Sequence, residues 1–257
     1  MERRNWTREE TILVFGLYCK IPFSKTVKTN PIVIDYATLI GRTPPAVAMK
    51  LGNFGSFDPE LQKKGISGLI NSSKLDKEIW NEFFENNESF IIELEKAEER
   101  FFERGSIQSA VQNQESNFPV GLHKERVVKT RTYQRFFRET LLAAYDSKCC
   151  VTGIKLPELL VGSHIKPASV SDPKTEKANP KNGLLLNAFH DKAFDRGLIT
   201  ITSSYEIVVS KKVPDVISDD LNVKWLSESA GKKIILPEKF LPDKKFIEYH
   251  NDVIFKG

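Results

Sequence analysis

No apolar run in this sequence approaches the roughly 18 residues that a membrane-spanning helix needs. Cysteine is scarce: Cys19, Cys149 and Cys150 are the only three. They form no C-x-x-C pair and supply no disulfide framework. The adjacent pair reads as small buried hydrophobes rather than a strained vicinal disulfide, which suits a reducing, cytoplasmic setting. The opening MERRNWTREE carries positive charge but no signal-peptide core, since Thr11 to Tyr18 is short and flanked by charge. There is no internal repeat and no low-complexity tract. A net charge of +4 is too small to demand a polyanionic partner; where the charges sit says more.

What is present is an ordinary globular composition, 257 residues long, with room for two small domains. Residues 1–73 read as helical. Trp6, Ile12, Leu13 and Leu17 recur at helical spacing behind Thr7, with Glu10 at the capping-box position. Ile32 to Ile40 forms a second helix ending at Gly41, and Thr43 caps a third in which Pro44 costs nothing. Helix, glycine-containing turn, helix is a helix-turn-helix outline. It places Arg42 and Lys50 where a recognition helix meets phosphates or base edges. The alternative is a three-helix bundle whose polar face is solvated.

Residues 74–123 are expected to hold one long helix from Leu75 to Arg104, then a polar linker from Gly105 to Leu122. The helix is lined with glutamates that would repel a phosphate backbone, so it reads as a scaffold or dimerisation helix with a solvated acidic face. Residues 124–257 open on six cations, Lys124, Arg126, Lys129, Arg131, Arg135 and Arg138, interrupted only by Glu125. Such a run suits a phosphate-binding lip.

The stretch Cys149 to Ile201 carries the chemistry. Leu159 to Ile165 reads as a strand entering a turn at Pro167. Asn182-Gly183 opens a second strand, Leu184 to Leu186, and Asn187 caps a short helix, Ala188 to Arg196, stopped by Gly197. After Ile201 a strand over Glu206–Ser210 and a final helix near Asp243–Val253 are expected. The overall class is α+β.

Four blocks of this stretch resemble the HNH (ββα-metal) endonucleases, in particular a predicted restriction endonuclease subgroup. They are Cys150-Val151-Thr152-Gly153, Ser163 to Pro167, Asn182 to Leu186 and Phe194 to Ile199. The resemblance implies hydrolysis of DNA phosphodiesters with one catalytic Mg²⁺ or Mn²⁺. It makes His164 the general base and Asn182 the residue that tethers its loop or approaches the ion. Counting nine residues on from Asn182 lands on Asp191, the expected main metal ligand; Asp195 shares its helix face, and His190 is the alternative. Lys166, beside the base, joins Arg131, Arg135 and Arg138 as an expected nucleic-acid contact. Ser163 stands where the family commonly places a stronger metal ligand. The second cysteine of each zinc-binding pair is missing, so no structural zinc is expected.

The resemblance further implies a restriction or phage-defence role, double-stranded DNA as partner and a homodimer for two-strand cleavage. Two other readings stay open: a DNA-binding regulator with an inactive HNH fold, and a nuclease acting on RNA or single strands.

Overall fold

The computed structural model describes residues 4–66, 73–105, 123–213 and 221–257, with side chains for all of these except 102–105, 123–130 and 221–223. The expected linker at 106–122, His123 and the side chains of Lys124, Arg126 and Lys129 lie outside the described residues. Contacts divide the chain into two compact units, Met1–Phe136 with Pro173–Ala178, and Phe137–Asp172 with Asn179–Gly257. The expected sequence boundaries at 73 and 123 are not where the contacts part.

The first unit is helical: α1 (Arg8–Lys20), α2 (Pro31–Leu39), α3 (Pro44–Gly55), α4 (Pro59–Lys63), α5 (Lys74–Glu85), α6 (Asn87–Gly105) and the beginning of α7 (His123–Ala144). Helix α1 starts with the full Thr7–Glu10 capping box, and Asn30 and Thr43 cap α2 and α3. Every residue of α1 from Glu10 to Cys19 is buried. A helix buried on all sides is a core element, not one face of a surface bundle. Helices α3, α5 and α6 surround it. At Gly16 an added Cβ would lie 2.5 Å from the Leu94 side chain of α6, so a larger residue there requires that leucine to shift. Phe15 packs edge-on to Phe54 at 5.0 Å and to Phe90 at 5.2 Å. Each such aromatic pair is worth about 0.5–1.5 kcal/mol beyond its area.

Two expectations fail here. The long acidic helix is two helices, because Asn86 (φ −150°) ends α5 and its side chain accepts from Ser89 N to start α6. The glutamates are also not an idle solvated face. Arg8 bridges Glu82 and Glu93, Lys20 meets Glu98 at 2.6 Å, and Arg100 meets Glu9 at 2.9 Å.

The second unit holds two antiparallel hairpins. In the first, β1 (Leu160–His164) pairs with β2 (Gly183–Asn187) so that Leu160 faces Asn187 and His164 faces Gly183. Helix α8 (Ala188–Asp195) follows at once, capped by Asn187, and packs on both strands. The second hairpin joins β3 (Ile199–Ile201) to β4 (Ile207–Val209). Then come α9 (Leu221–Ser227), α10 (Lys244–Tyr249) and a π-helical turn, His250–Ile254. The end of α7 lies close against the first hairpin. A Cβ on Gly183 would come within 2.7 Å of Leu141 and Phe137, and one on Gly162 within 3.2 Å of the Arg138 backbone. All five residues of β2 are buried, as a continuous apolar strand should be. Cys149 and Cys150 are free and buried. Cys149 Sγ accepts from Thr152 N and Asn187 N, tying the loop before β1 to the start of α8. Helices α4 and α9 and strand β3 were not foreseen, each being short and weakly patterned.

Candidate active site

His164 is the last residue of β1. Its half-buried ring stacks on Phe137 with centroids 4.0 Å apart and planes 9° off parallel. Strand pairing continues one step beyond it, from Ile165 N to Asn182 O at 3.0 Å. Asn182 is fully buried. Its Oδ1 accepts from Lys166 N at 2.8 Å, and its Nδ2 donates to Lys166 O at 3.0 Å and to Ser171 Oγ at 3.2 Å. Both donors and the acceptor of the amide are therefore engaged by the turn that leaves His164. In this geometry the Asn182 amide ties down the turn at Lys166, two residues past His164.

Helix α8 sorts its polar side chains by direction. Asn187 Oδ1 accepts from His190 N at 2.9 Å and lies 3.0 Å from His190 Nδ1. A carbonyl oxygen only accepts, so Nδ1 carries the proton and Nε2 a lone pair. That Nε2 is buried and without a hydrogen-bond partner among the described residues. Phe189 and Trp225 wall the ring edge-on. Burial drops its pKa to about 4, so the ring is neutral.

On the next face of α8, Asp191 and Asp195 lie one turn apart. Neither carboxylate makes a hydrogen bond or ion pair among the described residues. Burial, and then the charge of Asp191, push the Asp195 carboxyl above its usual range. Ser163, buried on β1, also has a hydroxyl without a partner, and strand alternation turns it away from the face of Gly162 and His164.

No group of three or more His, Cys, Asp or Glu side chains capable of holding an ion gathers among the described residues. Asp191, the expected main ligand, and Asp195 share one face of α8, while His190, the alternative, turns inward to Asn187 and Trp225. What remains is a pair of uncompensated carboxylates. That donor set fits a hard divalent cation that keeps several waters, as Mg²⁺ does.

The far end of α8 is held from a distance in sequence. His250, in the π-helical turn, stacks on Phe194 at 3.7 Å, and its Nε2 lies 3.1 Å from Phe194 O. Its Nδ1 lies 2.8 Å from Thr200 Oγ1 on β3. Burial lowers this ring to about 4, against the opposing bond to Phe194. Gly197 (φ +67°) follows the helix, and a Cβ there would run into the Ile254 carbonyl, so no other residue fits. No local sequence motif links His250 to α8.

The cations expected to touch nucleic acid are mostly committed elsewhere. Arg42, 10% exposed, bonds Arg4 O, Asn5 O and Glu10. Lys50, 3% exposed, lies 2.5 Å from Asp76. Burial lowers the Lys50 pKa despite that partner. Both stand beside the Trp6 ring. The recognition-helix expectation for this pair is therefore corrected: their heads face the interior, where an unpaired charge would be costly. Arg135 pairs with Glu95 at 3.0 Å, and Arg138 donates to Pro157 O and Leu160 O, bracing the approach to β1. Arg131 is exposed. The Lys166 ammonium sits 5.4 Å from the Tyr249 ring centroid.

Residues 149–202, roughly a fifth of the chain, match the model of a family described as HNH endonuclease. The two strands and helix carrying His164, Asn182 and α8 are accordingly an HNH domain, and its activity class is nuclease, with nucleic acid as substrate. No curated protein matches this chain. Among the described residues no helix is long and apolar enough to cross a membrane.

Proposed function

We propose that the protein is a divalent-metal-dependent endonuclease acting on double-stranded DNA, with His164 as general base. The observation that carries this reading is a hairpin ending on His164, followed directly by a helix with two unpaired carboxylates one turn apart. A neutral imidazole takes a proton from water as the water oxygen attacks phosphorus. The bond from phosphorus to the 3′ oxygen breaks, leaving 5′-phosphate and 3′-hydroxyl ends. Asn182 holds the turn at Lys166 so that the imidazole keeps its aim, and Phe137 fixes the ring plane. Asp191 and Asp195 would hold a Mg²⁺ or Mn²⁺ ion. When bound, such an ion neutralises charge building on the phosphate and the departing oxygen.

The resemblance of the motif string to predicted restriction enzymes supports foreign DNA as the biological substrate. One such site per chain means that two-strand scission needs two copies, most simply a homodimer.

The test is a panel of supercoiled plasmid, single-stranded DNA and RNA, with and without base modification, in Mg²⁺ or Mn²⁺, with the ends mapped. Nicking or cutting of duplex that leaves 5′-phosphates supports the reading. Preference for RNA or single strands replaces the substrate. Binding without cleavage of any substrate in either metal turns the reading into that of an inactive, DNA-binding fold.

A further inference from the structure

We infer that Lys192 and Arg196 form a clamp for the phosphodiester backbone beside the carboxylate pair, an assignment that rests on the nuclease reading above. A helix of 3.6 residues per turn places two stripes next to each other on α8, Asp191 with Asp195 and Lys192 with Arg196. Both cations of the second stripe are exposed.

Elsewhere among the described residues arginines are occupied. Arg4, Arg8, Arg42, Arg100, Arg135 and Arg138 each hold a carboxylate or a backbone carbonyl, and Arg131 is engaged as well. Among the described arginines, Arg196 alone has a side chain that makes no hydrogen bond or ion pair. This is not for want of an acid nearby: Asp195 precedes it in the chain and makes no ion pair among the described residues. The guanidinium head is free while its base is rigid. Arg196 N donates to Lys192 O at 3.2 Å, and Gly197 behind it is wedged against the Ile254 carbonyl. A fixed backbone with an unspent planar fork suits bidentate recognition of phosphate oxygens. Lys192, one turn back, adds a point charge along the same line. The carboxylate stripe would face the cation and the basic stripe the backbone that the cation cuts.

Binding of a short fluorescent duplex, measured in EDTA so that nothing is cut, tests this across a range of salt. Wild type, Lys192→Gln, Arg196→Gln, the double variant and Arg196→Lys are compared, with thermal midpoints as the check on folding. Each glutamine variant is expected to bind several-fold more weakly at low salt. Each should flatten the log–log salt slope by about 0.9, the value for one phosphate contact. Arg196→Lys keeps the slope and loses part of the affinity. Unchanged slopes in folded glutamine variants overturn the clamp and leave the nuclease reading standing. Inorganic phosphate that competes as well as unlabelled duplex also overturns it, by marking a free-phosphate site. Failure of the wild type to bind duplex at any salt removes the duplex-DNA reading on which the clamp rests.

Discussion

The two units handle charge in opposite ways. In the helical unit nearly every described charge that leaves the surface finds a partner: Lys50 has Asp76, Glu10 has Arg4 and Arg42, and Arg8 spans two glutamates. Burial alone would push the Glu10 carboxyl up, but bonds from Arg42, Thr7 N and Arg4 outweigh it and hold the pKa below the usual range. In the second unit several polar groups on and beside α8 have no partner among the described residues: two carboxylates, a guanidinium, a serine hydroxyl and one imidazole nitrogen. Paired charge defines where helices sit. Charge left unpaired on an exposed helix face is available to a ligand, and the proposed site is drawn from that set.

The contrast can be broken at several points. The largest effect is expected at the carboxylates. Asp191→Ala with Asp195→Ala should cut cleavage by about a thousandfold or more, since charge stabilisation of this kind is commonly worth several kcal/mol. Unaltered rates in Mg²⁺ and Mn²⁺ would remove them from the site.

Asp76→Ala tests the scaffold side. It leaves a buried ammonium at Lys50 without its carboxylate and should cost about 3–5 kcal/mol in denaturant unfolding. A loss under about 1 kcal/mol would show that the pair is not a structural anchor.

The His250 clamp gives a pH signature. Its folded pKa of about 4 lies below the ordinary histidine value, so the unfolded chain binds the proton more readily. Stability from this group is fully present above about pH 6.5 and is lost as pH falls through about 4, on the order of 3 kcal/mol in all. His250→Gln should flatten that part of the stability profile and raise the metal concentration needed for half-maximal cleavage. An identical profile in the variant would count against a neutral, buried ring.

The smallest effect is the most diagnostic of unspent charge. Asp195→Asn removes one of two repelling carboxylates, so metal-free stability should hold or rise by up to about 0.5 kcal/mol while cleavage falls. A clear loss of stability would mean that Asp195 has a structural partner.

Much of the HNH unit was legible because its signals are local. Asn187 caps α8 and Gly197 follows it, and the apolar run Leu184–Leu186 is a buried strand, all as read from spacing. The capping box at Thr7 was equally local. What stayed hidden depends on distant partners. Lys50 looked like a recognition-helix cation until Asp76, 26 residues on, took it inward. Arg42 answers to Glu10, 32 residues back. The glutamates of α5 and α6 read as a solvated face because their cations lie on α1 and α7. His250 meets Phe194 across 56 residues, with no shared motif to announce it. His190 was ambiguous by helical angle alone; its bond to Asn187 settles which way the ring turns.

The central claim is that the imidazole ending β1 removes the proton from the attacking water. Single-turnover cleavage of duplex DNA by wild type and by His164→Ala, at saturating Mg²⁺ or Mn²⁺ and with matched duplex binding, measures it directly. The account predicts a rate lower by about 10²–10⁴ in the variant with binding preserved. Equal rates in the two proteins would contradict it.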